Sequence, residues 1–521
     1  MDGTAFAPHG MVCSVDHLAS SAGVEVLRKG GSAADAAIAT SAVLTVTTQH
    51  MCGLGGDLFA LISQDGSAPL ALDASGRAGS GADPDRMRAE GHTSMPFLDD
   101  IRATPVPGCV DGWLALHDRL GRLPLDDVLA DAIGYAEDGF PASPLLAAAV
   151  GRLGDRPAAE QFRGGAPLRA GDLVRRPGVA RALRAVAKDG RDGFYLGEFG
   201  QGLLALGDGE YAETDLAHPN ADWVTPLRLD AFGRSLWTVP PTSQGYLTLA
   251  GAWIAEQVGL PADPDDPAWA HVTIEAARAA AYDRLDVLHE GADGPALLDR
   301  DRLLDRAARI DRTRSTDWGG RYAGGGTMHL TVVDRDRQGV SLIQSNAAGF
   351  GSLVVEPSTE IFLQNRGVGF SLQPGHPAEY GPRRRPPHTL APALVTSPDL
   401  QLDIVLGTMG GDSQPQVLLQ LLARLLVAGQ SAGTATGASR WALASSSGGG
   451  FDTWAERGRV QVLLEDGVPE SWARELAARG HDVQSRPAGG GFGHAHVIRA
   501  RDDVLEGASD PRAGSGAAAG Y

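Results

Sequence analysis

The sequence predicts an α+β fold in which a strand-rich core lies between helices on both sides. Three patterns point to this arrangement. Residues 35–46 form a helical stretch that is rich in Ala and apolar on nearly every face, so this helix is predicted to be buried. Residues 327–345 alternate in the manner of two buried strands. Residues 402–428 run from a strand through a glycine pair into a helix.

The N-terminal part begins with two predicted helices and a strand. The first helix covers residues 22–28 and ends at a glycine pair, and the second is the buried stretch over 35–46. The glycines within residues 53–56 then turn the chain into a buried strand over 57–62.

The middle of the chain is predicted to be helical and, from 150 to 270, otherwise rich in loops. The predicted helices lie around Trp113 and over residues 125–139, 178–188, 245–258 and 271–288. Residues 315–326 are Gly-rich and polar, so they are the best candidate for an exposed processing loop.

Strands dominate after this loop. Residues 328–334 and 340–345 are joined by a polar turn and predict a hairpin. The remaining predicted elements are a strand over 402–406, a helix over 414–428, and a small strand–helix–strand unit over 460–465, 469–479 and 483–497.

Composition excludes several classes of function. The net charge of −19 argues against nucleic-acid binding through a basic surface. The three cysteines, Cys13, Cys52 and Cys109, have no metal-ligand spacing and are expected to be isolated core residues. The histidines are scattered, so neither a metal nor another cofactor is expected. The sequence shows no signal peptide and no run of about 18 apolar residues, which predicts a cytoplasmic protein without membrane contact.

Thr327 is the first candidate catalytic residue. It follows Gly324-Gly325-Gly326 and opens a buried strand, which suits a chain that cuts itself before this residue. The new N-terminal threonine would carry both a nucleophilic hydroxyl and an α-amine that serves as its base. From the local residues alone, an ordinary structural threonine after a glycine loop stays the alternative.

The turn after the strand 402–406 is the second candidate. Gly407-Thr408-Met409-Gly410-Gly411 precedes a helix, so its backbone N–H groups are placed to hold a developing oxyanion. A phosphate cradle and a plain tight turn are the alternatives, although no Gly-Lys-Ser/Thr follows.

Four other polar positions are candidates for binding or support. Ser345 ends the second strand of the hairpin, where its hydroxyl can orient a neighbouring threonine, and His388-Thr389 follows a proline pair and can line a pocket. Arg77 follows a strand and can clamp a carboxylate in bidentate fashion, although a structural ion pair is the alternative. The run Arg383-Arg384-Arg385 is expected to be solvated.

Taken together, these segments resemble the γ-glutamyltranspeptidase family of N-terminal-nucleophile hydrolases, and the resemblance covers nearly the whole chain. The matching motifs are Glu25-Val26-Leu27-Arg28-Lys29-Gly30-Gly31, Gly53-Leu54-Gly55-Gly56, Val106-Pro107-Gly108, Gly121-Arg122-Leu123-Pro124, Pro240-Pro241-Thr242-Ser243-Gln244-Gly245, Thr327-Met328-His329, Gly349-Phe350-Gly351 and Gly507-Ala508-Ser509-Asp510-Pro511-Arg512.

The resemblance implies a four-layer αββα sandwich and a precursor that is split between Gly326 and Thr327. The products would be a large subunit, 1–326, and a small catalytic subunit, 327–521. It implies Thr327 as the nucleophile and Gly410 and Gly411 as oxyanion donors. Ser345 falls where the family has a threonine that supports the nucleophile. The implied partners are the two subunits of one precursor and a small-molecule amide or peptide substrate.

The substrate-binding positions of this chain match those of the family only in part. Arg77 falls near the family's carboxylate-binding arginine, although the local spacing differs. An asparagine, a glutamine and an aspartate hold the glutamyl α-amino group in this family, and ungapped counting from Thr327 places Ala347, Arg366 and Gly369 there. His388-Thr389 replaces a carboxylate-binding serine pair, and the shorter stretch over 370–387 predicts a reduced or missing lid.

These departures predict an altered acyl donor. A buried ammonium beside Arg366 without a compensating carboxylate is strongly disfavoured. We therefore expect an amidohydrolase or acyltransferase that takes an acidic acyl group without an α-amino group, such as an oxalyl, oxamate-like or dicarboxylic half-amide group. True γ-glutamyl transfer or glutathione hydrolysis, C–C bond hydrolysis in antibiotic biosynthesis, and a non-catalytic relative are the alternatives.

Overall fold

A computed structural model of the chain describes residues 2–64, 66–162, 167–318, 327–445, 460–501 and 503–521. Its α-helices are α1 (His17–Arg28), α2 (Ala33–Thr47), α3 (Pro84–Ala89), α4 (Cys109–Leu120), α5 (Leu125–Asp138), α6 (Pro144–Leu153), α7 (Pro177–Tyr195), α8 (Glu198–Leu206), α9 (Glu213–Ala217), α10 (Tyr246–Val258), α11 (Pro267–Ala281), α12 (Arg284–Val287), α13 (Gly294–Leu297), α14 (Arg300–Arg309), α15 (Gln414–Leu422), α16 (Ala432–Gly437) and α17 (Glu470–Ala478). In this part of the chain, no helix is long and apolar enough to cross a membrane.

The strands are short and spread along the whole chain. They are β1 (Ala5–Ala7), β2 (Met11–Ser14), β3 (Asp57–Gln64), β4 (Ser67–Ala74), β5 (Phe140–Pro141), β6 (Leu173–Val174), β7 (Asp222–Val224), β8 (Leu227–Ala231), β9 (Arg234–Thr238), β10 (Met328–Val333), β11 (Gly339–Ser345), β12 (Val355–Glu356), β13 (Ile361–Phe362), β14 (Ala393–Thr396), β15 (Leu402–Thr408), β16 (Trp441–Ser445), β17 (Val460–Glu465), β18 (Asp482–Arg486), β19 (Ala495–Ala500), β20 (Leu505–Ser509) and β21 (Ala517–Gly520).

Two large sheets form the centre of the molecule. Within the described residues, the nucleophile sheet has the strand order β21-β2-β10-β11-β3-β4-β7. The turn sheet has the order β1-β20-β19-β15-β14-β9-β8. Neighbouring strands pair antiparallel throughout both sheets, so the side chains of each strand alternate between its two faces.

Three hydrophobic clusters show that four layers are packed together. The inner cluster joins the facing sides of the two sheets and contains Phe59, Ile343, Val405 and Ile498. A second cluster packs helices that include α1, α2 and α5 on the outer face of the nucleophile sheet. A third packs α10, α11 and α15 on the outer face of the turn sheet. The expected αββα sandwich is therefore confirmed.

Helix α2 illustrates how the local sequence builds an outer layer. Ser32 and Asp35 form a capping box, in which the Ser32 hydroxyl accepts from the Asp35 amide at 3.1 Å and the Asp35 carboxylate accepts from the Ser32 amide at 2.9 Å. Every residue of the helix is buried, because it lies between the nucleophile sheet and the helices α1, α4 and α5. Small Ala side chains allow this close approach, as predicted.

The segments before and after Thr327 both contribute strands to both sheets. β10 and β11 of the later segment lie between β2 and β3 of the earlier segment. In the turn sheet, β14 pairs with β9 across the same division. The two segments therefore share one core and are not separate domains.

Several boundaries differ from the sequence prediction. The helix predicted over 271–288 begins at Pro267, ends at Ala281, and is followed by the separate short helix α12. The segment 483–497 divides between β18, in a small sheet with β16 and β17, and β19 in the turn sheet. The hairpin of β8 and β9 lies within the region predicted to be loop-rich. Its strands have five residues each, too few for a clear periodicity.

Candidate active site

Three hydroxyl and carboxylate side chains meet at one end of the nucleophile sheet. Thr327 comes directly before β10, and its hydroxyl lies 3.4 Å from the Ser345 hydroxyl at the end of β11. Ser345 in turn pairs with Asp57, the first residue of β3. All three residues are fully buried. They share the face that carries Phe59 and Ile343, which is the face directed towards the turn sheet.

Gln414, the first residue of α15, contacts the candidate nucleophile from the side of the turn sheet. Its side-chain amide donates to the Thr327 hydroxyl at 3.4 Å, and its side-chain oxygen accepts from the Ala391 amide at 3.0 Å. Thr327 therefore has polar contacts from the nucleophile sheet and from α15. Gln414 was not predicted as a site residue, although its position at the start of the helix after the glycine turn is a signal by which it could have been found.

The glycine turn is joined to Gln414 and is fixed by side chains. Gly410 and Gly411 have φ angles of +136° and +57°, which favour glycine. The Ser413 hydroxyl donates to the Gly410 carbonyl at 2.8 Å, and the Gln244 side chain donates to the Gly411 carbonyl at 2.9 Å. With its carbonyls held in this way, the turn has a fixed orientation beside the residue that contacts Thr327.

An ion pair also holds this turn. Asp412 directly follows Gly411 and lies 2.7 Å from the Arg284 guanidinium of α12. Both side chains are about 6% exposed, so the pair is shielded from solvent. The sequence prediction included neither residue as part of the site.

Arg366 connects the candidate nucleophile to the predicted binding residues. Its guanidinium donates to the Ser345 hydroxyl at 3.4 Å and to the Thr389 hydroxyl at 3.0 Å. Arg366 is 1% exposed, and burial lowers its pKa to about 10, so it is positively charged at neutral pH. The predicted residues Thr327, Ser345, Arg366 and Thr389 thus form one continuous chain of polar contacts.

His388, the other residue of the predicted pair, points to a different partner. Its Nε2 atom lies 3.1 Å from the Asp57 carboxylate, while its Nδ1 atom accepts from the Leu390 amide at 3.4 Å. These contacts place the proton on Nε2. Burial and the nearby Arg366 charge hold the pKa of His388 well below its usual value, so the ring is neutral.

The position of Asp57 differs from the prediction that no carboxylate compensates the charge of Arg366. The sequence places Arg366 in a pocket without a compensating carboxylate, whereas in the structure the charge of the buried Asp57 offsets part of the lowering that burial imposes on the pKa of Arg366. Asp57 was predicted only as part of a buried strand. Its partners His388 and Gln364 lie more than 300 residues away in sequence, so no local pattern reveals the contact.

Arg77 makes the contacts of a structural ion pair. Its guanidinium donates to Asp222 at 3.0 Å and to the side-chain oxygen of Asn220 at 3.4 Å. None of the contacts between described residues joins Arg77 to Thr327, Ser345 or Arg366. Its predicted role as a carboxylate clamp stays a prediction.

The arginine run is not uniformly solvated, which corrects the expectation for Arg385. This residue is 7% exposed, lies 2.9 Å from Asp222, and donates to the Ser75 carbonyl at 3.0 Å. In the same segment, Phe370, Leu372 and Tyr380 pack with Met87 and Met95 in a small hydrophobic cluster. Residues 370–387 therefore pack and form ion pairs with the earlier part of the chain. Their role as a reduced lid stays a prediction.

Two further predictions concern the cleavage site and metal binding. Gly326, on the other side of the predicted cut, lies outside the described residues, as do residues 319–325 of the predicted processing loop. Among the residues that are described, no group of three or more His, Cys, Asp or Glu side chains is arranged to hold a metal ion.

Comparisons with known proteins cover nearly the whole chain. A model of the gamma-glutamyltranspeptidase family matches residues 19–521. The chain is 38% identical to the oxamate amidohydrolase proenzyme of Klebsiella pneumoniae, with 98% of each chain covered. It is 34% identical to a glutathione hydrolase-like proenzyme of Bacillus subtilis, again with 98% of each covered. The crystal structure of cephalosporin acylase from Bacillus halodurans matches with a TM-score of 0.89 at 32% identity, covering 99% of this chain and 97% of that one.

Proposed function

Because this chain belongs to the gamma-glutamyltranspeptidase family, we propose that it is a self-processing amidohydrolase with Thr327 as its nucleophile. Its acyl donor is an acidic group that lacks an α-amino group, such as oxamate or the half-amide of a dicarboxylic acid. The observation that carries this proposal is the buried Arg366 guanidinium, which donates to the hydroxyl that contacts Thr327.

Maturation uses the same hydroxyl as the later reaction. The Thr327 hydroxyl attacks the Gly326 carbonyl, the peptide C–N bond breaks, and an ester forms between the two residues. Water then hydrolyses this ester, which leaves a carboxylate on Gly326 and frees the α-amine of Thr327. The contacts of the Thr327 hydroxyl with Ser345 and Gln414 support this step, because they fix the attacking oxygen.

In the mature protein, the freed α-amine of Thr327 takes the proton of its own hydroxyl as the oxygen attacks the acyl carbonyl. The backbone amides of Gly410 and Gly411 stabilise the resulting oxyanion. The amine then gives its proton to the leaving nitrogen, which departs as ammonia or an amine. The acyl ester on Thr327 passes to water or to an acceptor amine; with oxamate and water, the products are oxalate and ammonia.

The position of Arg366 supports a short acidic acyl group. A charge-assisted hydrogen bond from a buried arginine to a carboxylate contributes about 1.5–3 kcal/mol. Arg366 is separated from the Thr327 hydroxyl by only the Ser345 hydroxyl, so the carboxylate it binds lies close to the reacting carbonyl. The name of the 38% identical oxamate amidohydrolase proenzyme agrees with this substrate class.

Gly369 further supports the loss of an ammonium site. A Cβ atom at this position would lie 2.6 Å from the Pro387 carbonyl oxygen, which is closer than real Cβ contacts. An aspartate here, as the family resemblance implies for γ-glutamyl donors, would not fit without a shift of the backbone.

The rival donor is a γ-glutamyl group, and the buried carboxylates of Asp57 and Asp412 are the observation in its favour. However, Asp412 is paired with Arg284, and Asp57 accepts from His388, Gln364 and two backbone amides. An ammonium in this pocket would have to displace these contacts and tolerate the Arg366 charge.

The two donors can be separated with a matched pair of substrates. Glutaryl p-nitroanilide and γ-glutamyl p-nitroanilide differ only in the α-amino group, and oxamate and glutathione extend the comparison. We expect kcat/KM to be at least about tenfold higher for the glutaryl compound, since like charges about 4 Å apart near a protein surface repel by about 4 kcal/mol. Oxamate should release ammonia. A preference for the γ-glutamyl compound contradicts the proposed donor.

A further inference from the structure

Glu275, a residue of α11, binds the segment that leads to the proposed cut. One of its carboxylate oxygens accepts from the Thr316 amide and from the Trp318 indole N–H, each at 3.1 Å. The other accepts from the Arg278 guanidinium at 2.6 Å, and the same guanidinium nitrogen donates to the Ser315 hydroxyl at 2.7 Å. Glu275 is fully buried, so these donors replace the water that an exposed carboxylate would bind.

The Trp318 side chain packs into the outer helical layer beside α11. It is 6% exposed, and its ring stacks on Tyr282 with the ring centroids 5.4 Å apart. The Arg309 guanidinium lies 4.3 Å from the centroid of the Trp318 ring. A buried indole whose N–H is paired has both its position and its orientation fixed. We call the following residues the Glu275 cluster: Glu275, Arg278, Ser315, Thr316 and Trp318.

The part of the chain after the proposed cut contacts the same segment. The Ser315 amide donates to the Arg479 carbonyl, directly after α17, at 2.6 Å. His271 of α11 lies between two partners, with its Nε2 atom 2.8 Å from the Asp311 carbonyl and its Nδ1 atom 2.8 Å from His481 Nε2. Because a carbonyl only accepts, the His271 proton is on Nε2, and Nδ1 accepts from His481. The segment before the cut is therefore held by α11 and by the end of α17.

We propose that Glu275 is a positioning residue for self-cleavage, because it fixes the chain shortly before the bond that breaks. Only eight residues separate Trp318 from Thr327, which is itself held at the start of β10 by the Ser345 contact. Fixing both ends of a short stretch restricts the backbone conformations open to it, which favours attack of the Thr327 hydroxyl on the Gly326 carbonyl. This inference rests on the proposed self-processing.

The length of this stretch gives the size of the effect. The buried residue that precedes Trp318 in the chain is Ile310, and the side chains between them are exposed or half-buried. Without the Glu275 cluster, the stretch between fixed residues would run from Ile310 to Thr327 and would double to sixteen residues. Each doubling of a loop's length lowers the probability of a given closed geometry by about threefold. Loss of the cluster should therefore slow cleavage by at least this factor.

Turnover by the matured protein should not depend on the Glu275 cluster. Within the part of the chain that the structure describes, the side-chain hydrogen bonds and ion pairs of Glu275 join it to its own cluster or to His481, and none joins it to Thr327. A residue that only stabilised the fold would change maturation and turnover together, whereas this positioning role changes maturation alone. The two rates therefore separate the two roles.

The first test follows the splitting of newly synthesised protein over time on a denaturing gel, for wild type and for Trp318→Phe. This change removes the N–H that Glu275 accepts and keeps an aromatic ring against Tyr282. We expect the rate of maturation to fall by at least about threefold. The matured variant should keep the wild-type kcat/KM for glutaryl or γ-glutamyl p-nitroanilide, whichever the wild type prefers. The matched control is Trp223→Phe on β7, beside Arg119, which should mature at the wild-type rate.

The second variant is Glu275→Gln. Its amide nitrogen must face either Arg278 or Trp318, so one of these donors loses its acceptor, and we expect the same slowing. Maturation of both variants at the wild-type rate overturns the role of Glu275. An equal loss of kcat/KM in the matured variants also overturns it, because the role is then structural. If Glu275→Gln does not fold, the Trp318→Phe result decides. A wild-type chain that is never cut overturns the proposed self-processing itself.

Discussion

Arg366 is the residue whose charge we expect to decide which acyl group can lie beside Thr327. We expect Arg366→Met to lower kcat/KM for oxamate by about 10–100-fold, because a charge-assisted hydrogen bond of about 1.5–3 kcal/mol is lost. Arg77→Met is the control, since Arg77 is paired with Asp222 and should change kcat/KM by less than about threefold. Steady-state kinetics of the two matured variants makes the comparison. Equal losses of kcat/KM in both variants would show that Arg77 binds the substrate carboxylate together with Arg366.

Ser345 is expected to act through Thr327 and not by contact with the acyl carbon. Its hydroxyl lies between Thr327 and Arg366, and it also accepts from the Ala347 amide at 2.8 Å. Ser345→Ala should lower kcat and slow maturation by about tenfold each, the effect of about one neutral hydrogen bond. Ser345→Thr should restore both rates, because it keeps the hydroxyl. If the alanine variant matures and turns over normally, Ser345 has no supporting role.

Part of the site could be predicted from the sequence. Thr327, Ser345, Arg366 and Thr389 were predicted, and the structure joins them by hydrogen bonds; their roles stay predictions. Asp57 and Gln414 were not predicted as site residues. An aspartate at a strand start and a glutamine at a helix start are ordinary, and only the packing of the two sheets gives them their partners.

The glycine turn between β15 and α15 carries one partner of a buried ion pair, Asp412 with Arg284. Removing one partner of such a pair typically costs about 3–5 kcal/mol, because the other charge is left buried. We therefore expect Asp412→Asn to lower the free energy of unfolding by roughly this amount and to lower kcat, since the Gly410 and Gly411 amides lose their fixed orientation. Urea denaturation and kinetics measure the two effects.

A double variant separates stability from catalysis in this turn. Arg284→Met with Asp412→Leu removes both charges and should recover most of the stability. If kcat remains low while stability returns, the pair orients the turn. Full recovery of kcat would show that the ion pair contributes only to stability.

The elements that the sequence predicts well are those with a long, regular pattern. The buried helix α2 and the hairpin of β10 and β11 were predicted to within about two residues. The hairpin of β8 and β9 was missed, because its strands are short and join the turn sheet only through pairing with β14. Its place depends on contacts with the later half of the chain, which local patterns do not contain.

Because strands from both segments interleave in each sheet, we expect the two segments to stay together after the cut before Thr327. β10 and β11 lie between β2 and β3, so separating the segments would break two rows of backbone hydrogen bonds and expose the shared core. The matured protein should therefore elute from a native sizing column as one particle and give two bands on a denaturing gel. Elution as two separate species contradicts this interleaved arrangement.

Self-processing at Thr327 is tested by the intact mass of the purified protein under denaturing conditions, measured together with its oxamate turnover. We expect two polypeptides, one ending at Gly326 and one beginning with a free amine on Thr327. Thr327→Ala, the matched variant, should remain one inactive chain. An unbroken wild-type chain that still releases ammonia from oxamate would contradict the claim that Thr327 becomes a chain end and acts as both nucleophile and base.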